Sequence, residues 1–199
     1  MKKLRALALV LLAGLTIVAA GCKKQEEGAP KGMKSASASQ TEYNLYVPSD
    51  WEIDTADGSL LSSAHVSDAD HTNVTAMAYT GDRSYKSVTD YFDNYKKQIE
   101  KMFDLDSEGK SSFEMVEGGE GVLLGGVAAQ NYVYTGTVGG VALKYRQVIC
   151  YYNGDYYLIT FTSDADLYDT HAEEFDLIVQ NFTFVKKPAA AVTTEAVEG

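Results

Sequence analysis

The chain has 199 residues, 45% hydrophobic and 23% charged, a mixture that fits one folded domain and excludes a chain disordered throughout. Three prolines, two cysteines and 14 tyrosines exclude a proline-rich linker protein and a disulfide scaffold while supplying an aromatic core. The formal charge is −11, and a leader holding Lys2, Lys3 and Arg5 but no acid hides a mature charge of −14 (17 basic residues less 3, against 28 acidic), so nucleic acid is not an expected partner.

Residues 1–5 carry three positive charges, and the apolar run behind them reaches Ala20 with Gly14 and Thr16 interrupting, then closes on Ala19-Ala20-Gly21-Cys22. The run is short for a bilayer span and ends in small residues, as a cleaved secretory leader does. A cysteine directly after Ala-Ala-Gly resembles the lipobox of bacterial lipoproteins, which implies cleavage between Gly21 and Cys22 and acylation of Cys22. Two or more acyl chains give a stable anchor, at about 0.8 kcal/mol per buried CH2. The expected location is the extracytoplasmic face of a bacterial cell membrane, held through the N-terminal lipid.

The expected organisation is a signal peptide over 1–21, a lipidated N-terminus and flexible tether over 22–41, a folded domain over 42–187 and a disordered tail over 188–199. The domain opens with Tyr43, Leu45 and Val47 alternating with polar neighbours, a strand that stops at Pro48. Trp51 and Ile53 resume apolar spacing before Asp57-Gly58, and two short strands follow over Leu60 to Val66 and Asn73 to Tyr79. The period then changes. Val88, Tyr91, Phe92, Tyr95, Ile99, Met102 and Phe103 share one helical face, and Ser87 with Asp90 supplies the N-cap.

After Ser111 the chain returns to strands, with Gly118-Gly119-Glu120-Gly121 and Gly125-Gly126 marking turns or bulges. Gly139-Gly140 separates Asn131 to Val138 from Val141 to Tyr152, and Asn153-Gly154 separates that segment from Asp155 to Thr162. Such two-residue loops favour the primed turns of antiparallel hairpins. Ser163 to Asp166 is expected to cap a second helix whose Tyr168, Ala172, Phe175, Ile178, Val179 and Phe182 share a face, with Phe182 to Val185 as a closing strand. Strands, helix, strands, helix make an α+β domain built on a central antiparallel sheet with two amphipathic helices.

No motif fixes a chemistry. Gly109-Lys110-Ser111 lacks the earlier glycine and preceding strand of a phosphate loop. Asp104, Asp106 and Glu108 have part of a calcium-loop spacing, but the closing acid, Glu114, falls one position early. Asp164, Asp166 and Asp169 lie where a helix start favours acids. Both clusters are weak metal candidates, and His65, His71 and His171 are too far apart in sequence for a zinc pattern. Cys150, inside Val148-Ile149-Cys150-Tyr151-Tyr152, reads as a buried hydrophobe. No cofactor and no catalytic residue are assigned.

The order of elements and several local signatures resemble the PsbP/DcrB-like family, named after an extrinsic photosystem protein and an envelope lipoprotein. They are Tyr46-Val47-Pro48-Ser49-Asp50-Trp51, Gly126-Val127-Ala128-Ala129, Tyr156-Tyr157-Leu158-Ile159-Thr160 and Phe175 to Phe182, together spanning most of 43–184. The resemblance implies an α/β/α sandwich and proteins that bind or organise partners instead of catalysing reactions. Asp50 stands where members often have glycine, and the photosystem protein's metal-binding and docking residues do not carry over. The expected function is a non-catalytic binding or assembly module with a protein partner in the cell envelope. A solute- or divalent-cation-sensing domain is the alternative, and an envelope enzyme the least favoured.

Overall fold

The computed structural model describes residues 28–80 and 84–185. The leader, Cys22 and the tail from 188 lie outside them. Seven strands form one antiparallel sheet: β4 (Glu52–Ile53), β5 (Leu61–Ser67), β6 (Asp70–Thr80), β10 (Asp155–Asp164), β9 (Val141–Tyr152), β8 (Val127–Val138) and β7 (Glu114–Leu124), in that spatial order. The chain leaves β6 through α1 (Val88–Ile99), starts again at the far edge with β7, and runs back as a meander until β10 pairs with β6. α2 (Tyr168–Asn181) follows β10. Two ribbons complete the fold: β1 (Met33–Ser35) with β3 (Tyr46–Pro48), and β2 (Tyr43–Asn44) with β11 (Thr183–Phe184).

The turns show why the meander forms. Val138 faces Val141 across Gly139 and Gly140, whose φ values of 60° and 86° suit a primed turn. Tyr152 likewise faces Asp155 across Asn153 and Gly154, with φ of 53° and 97°. β7 is irregular, with register shifts between Met115 and Glu117 and between Gly118 and Glu120, so its glycines sit within one long bulged strand.

Alternation along the central strands sends successive side chains to two separate cores. Val148, Cys150, Tyr157, Ile159 and Phe161 point to the face covered by Phe175, Ile178 and Val179 of α2 and by Trp51, Leu45 and Val47. Tyr132, Tyr134, Tyr145, Ile149, Tyr156 and Leu158 point to the other face, under Tyr91, Phe92 and Ile99 of α1. One helix therefore lies on each face. Ser87 caps α1 by accepting the Asp90 amide at 3.0 Å, and the Asp90 carboxylate accepts the Lys86 amide at 3.0 Å. Cys150 is buried, and burial pushes its thiol pKa up to about 12, which makes it a core residue rather than a nucleophile.

Four expectations need correction. The stretch expected to be tether up to residue 41 is partly folded: Met33–Ser35 pairs with Tyr46–Pro48, and Ala36 and Ala38 are buried. Its small alternating Ser and Ala residues look like low complexity, yet they let the backbone lie against the domain, where buried Ser62 accepts the Ala38 amide at 2.8 Å. The first strand is not continuous, because Leu45 turns to other partners: its amide bonds Ser37 Oγ at 2.9 Å and its carbonyl the Ala36 amide at 2.8 Å. The first helix ends at Ile99 and tightens into a 3₁₀ turn over Glu100–Met102. Ser163 is no helix cap: it belongs to β10, its hydroxyl bonds Thr72 Oγ1 at 2.8 Å, and α2 starts at Tyr168 after Leu167 without a side-chain cap.

Phe103, just past the 3₁₀ turn, packs its ring against Gly136 of β8, and a Cβ at that glycine would run into it. Gly136→Ala is expected to destabilise the domain by about 1–3 kcal/mol through overpacking, read as a lower melting temperature. An unchanged melting temperature would show that the Phe103 ring is free to move aside.

Candidate functional site

The chemistry-bearing side chains gather where β4, β5 and β6 meet at one edge of the sheet. Cross-strand pairing sets Glu52 directly opposite His65 and Ile53 opposite Ala64, so Glu52, Asp54 and His65 share a face. His65 Nδ1 lies 2.8 Å from Asp54 Oδ2. Where His65 faces Asn73 and Ser67 faces Asp70, β6 carries one residue more than β5, and from the turn just beyond, Asp68 sets a ligand atom within 4.8 Å of those of Glu52 and His65.

His171 of α2 lies on the opposite face, clasped between two carboxylates: Nε2 is 2.9 Å from Asp70 Oδ2 and Nδ1 is 2.5 Å from Glu174 Oε2. Trp51, buried beneath, meets its ring edge-on at 6.3 Å. Asp70 also accepts the Thr72 amide at 2.9 Å. This clasp joins α2 to the β5–β6 turn. Burial alone would pull the His171 pKa down, but the hydrogen bonds to Glu174 and Asp70 outweigh it and hold the value above 6.5. Burial pushes Asp70 up, yet its bonds with Thr72 and His171 bring it below 3.8.

Of the three histidines, His65 and His71 thus lie on one face, His71 being two residues before Asn73, the cross-strand partner of His65, while His171 faces the other way. Neither acidic cluster singled out in the sequence converges on a common point. Asp104 accepts the amides of Gly139 and Gly140 at 3.1 and 2.8 Å, capping the hairpin turn. Asp106 accepts the amides of Glu108 and Lys110, both at 2.9 Å, and these backbone bonds hold its carboxyl below the usual range. Asp164 and Asp166 are exposed, and Asp169 pairs loosely with Lys144 at 3.6 Å. The acids that do gather with histidines, Glu52, Asp54, Asp68, Asp70 and Glu174, were not singled out. Period-2 pairing of Glu52 and Asp54 against His65 was the signal available for two of them.

An open groove of about 640 Å³ lies elsewhere, between Leu123, Gly125, Val179, Phe182 and Phe184, and none of the three histidines lines it. Among the described residues, no helix is long and apolar enough to cross a membrane.

No family model matches the chain, and no curated protein does. Solved structures do. The solution structure of cyanobacterial PsbP (CyanoP) from Synechocystis sp. PCC 6803 superposes with a TM-score of 0.57 at 14% identity, covering 81% of this chain and 98% of that one. A Pseudomonas aeruginosa protein of unknown function, PA94, described as a putative regulator, superposes at 0.53 and 17% identity over 79% and 99%. At these identities the likeness is one of fold, and the chain has a PsbP-like fold.

Because the folded His171 pKa lies above its unfolded value, the stabilisation from the charged imidazole is complete below about pH 6.5 and is lost as pH rises through the folded value. The Asp70 contribution runs the other way, present above 3.8 and lost as pH falls below that. His171→Gln is expected to destabilise by ~1 kcal/mol at pH 6 and by less at pH 9. Thermal melts at both pH values check this, and an equal difference at the two would refute a charged clasp.

Proposed function

We propose that this chain is a lipid-anchored domain on the extracytoplasmic face of a bacterial cell membrane, acting by binding or organising a protein partner and not by catalysis. The observation that carries the reading is the leader that closes on Ala19-Ala20-Gly21-Cys22. With only Cys150 left, buried within β9, Cys22 has no intramolecular disulfide partner once acylated. The PsbP-like fold supports the binding role, since it places long strands and two helices around two cores and leaves function to surfaces.

The folding of β1 shortens the connection. Ten residues separate Cys22 from Met33, which reach roughly 40 Å at full extension and so keep the domain close to the headgroups. An acidic domain is repelled by anionic lipid, which suits one held near the membrane but presented away from it.

Cys22→Ser is expected to move the protein from the membrane fraction to the soluble one, and tight membrane retention of the variant would overturn the anchor. Cross-linking in intact cells of the producing organism, followed by purification of the lipidated protein, tests the role. One dominant protein partner is expected, and recovery of the protein alone would count against an assembly module.

A further inference from the structure

We propose that Glu52, His65 and Asp68 form a binding site for a divalent transition-metal ion of the zinc class at the β4 edge of the sheet. The site stands independently of the lipid anchor and of any protein partner.

Convergence is the first argument. The ligand atoms of the three residues already lie within 4.8 Å of one another, one on β4, one on β5 and one in the turn beyond it. Bonds of about 2.0–2.1 Å in tetrahedral geometry put ligand atoms about 3.3 Å apart, so closure needs side-chain adjustments of the order of an ångström and no backbone movement. Glu52 and His65 are fixed as a cross-strand pair, and Asp68 reaches them from the β5–β6 turn.

The second argument is the outer partner of the histidine. Asp54 Oδ2 engages His65 Nδ1 at 2.8 Å and so orients the ring; with the Nδ1 proton donated to Asp54, Nε2 would be the nitrogen to bind the ion. A carboxylate on the far nitrogen is the usual companion of a metal-bound imidazole, because it orients the ring and raises its basicity.

Charge is the third. Three carboxylates, those of Glu52, Asp54 and Asp68, crowd one imidazole, and among the described residues none of them pairs with a lysine or arginine. A cation held between Glu52 and Asp68 would offset the repulsion of their carboxylates. One nitrogen and two carboxylates suit zinc and its neighbours, with a fourth position open to water or a partner's side chain. A calcium ion would require six to eight oxygens.

The test is calorimetric titration of zinc into the full-length chain, purified in detergent and stripped with chelator. One zinc ion per chain is expected, with affinity lowered at least tenfold in His65→Gln, in Glu52→Gln and in Asp68→Asn, lowered about tenfold in Asp54→Asn, and unchanged in His171→Gln. Calcium at the same concentration is expected not to compete. Glu52 and Asp68 are exposed, so their variants keep the fold even if His65→Gln does not, and matched melting temperatures verify it. No zinc binding, or binding unchanged in Glu52→Gln and Asp68→Asn, or binding lost only in His171→Gln, would overturn the site.

Discussion

The structure depends on one constraint: the central strands are buried on both faces, so every second residue of β8, β9 and β10 must find an apolar cover on each side. A sheet with one wet face would need one helix. This one needs two, and they come from the two places where the chain leaves the sheet, between β6 and β7 and after β10. Full burial of a large apolar side chain stabilises by about 1.5–3 kcal/mol, and Ile149, Ile159, Phe161, Phe175 and Ile178 all meet that condition. The two covers differ in chemistry. The α2 side is sealed by Phe161 stacked on Phe175 at 5.1 Å, whereas the α1 side is a tyrosine layer, with Tyr91 on Tyr156 at 4.2 Å and Phe92 on Tyr132 at 3.6 Å. α2 is short of cover at its sheet edge, and the N-terminal ribbon supplies the remainder through Leu45, Val47 and Trp51.

That requirement explains what could be read from residues alone. Gly139-Gly140 and Asn153-Gly154 demand positive φ at adjacent positions, a condition so local that two strand pairings follow from four residues. The helical period from Val88 to Ile99 is equally local. The folded character of 33–41 was not legible, because it rests on long-range partners: the Ser62 hydroxyl holding the Ala38 amide and the Tyr43 hydroxyl, which in turn donates to the Ala76 carbonyl at 2.6 Å. Ser163 misled for the same reason. A serine before an apolar helical stretch is a good local cap, but burial beside Thr72 decided its role.

The histidines follow the same division. Spacing in the chain says nothing about residues 65 and 171, yet β5 and α2 bring them to the two faces of one sheet corner, each with carboxylates. Their surroundings then separate their roles. His171 lies over buried Trp51 and uses both nitrogens within the protein, so it ties a helix to a turn. His65 has one nitrogen committed to Asp54 and stands at a two-residue edge strand beside exposed Glu52 and Asp68. An arrangement that commits one nitrogen to a carboxylate and leaves the other without a protein partner among the described residues is what a metal ligand uses and what a structural tie does not require.

Edge position also bears on how far likeness of fold can carry function. Two-face burial and primed turns are met by many sequences, so superposition on cyanobacterial PsbP at 14% identity is no surprise physically: a fold can be shared where few residues are. Nothing in that requirement touches β4, whose two residues are both exposed and belong to neither core. The corner of Glu52, His65 and Asp68 is therefore free of the constraint that shapes the rest of the domain. Three carboxylates around one imidazole, two of them placed by β4–β5 pairing, are not needed to hold the sheet together. A bound cation would give all of them one use, with two carboxylates and the imidazole as ligands and the third carboxylate orienting the ring.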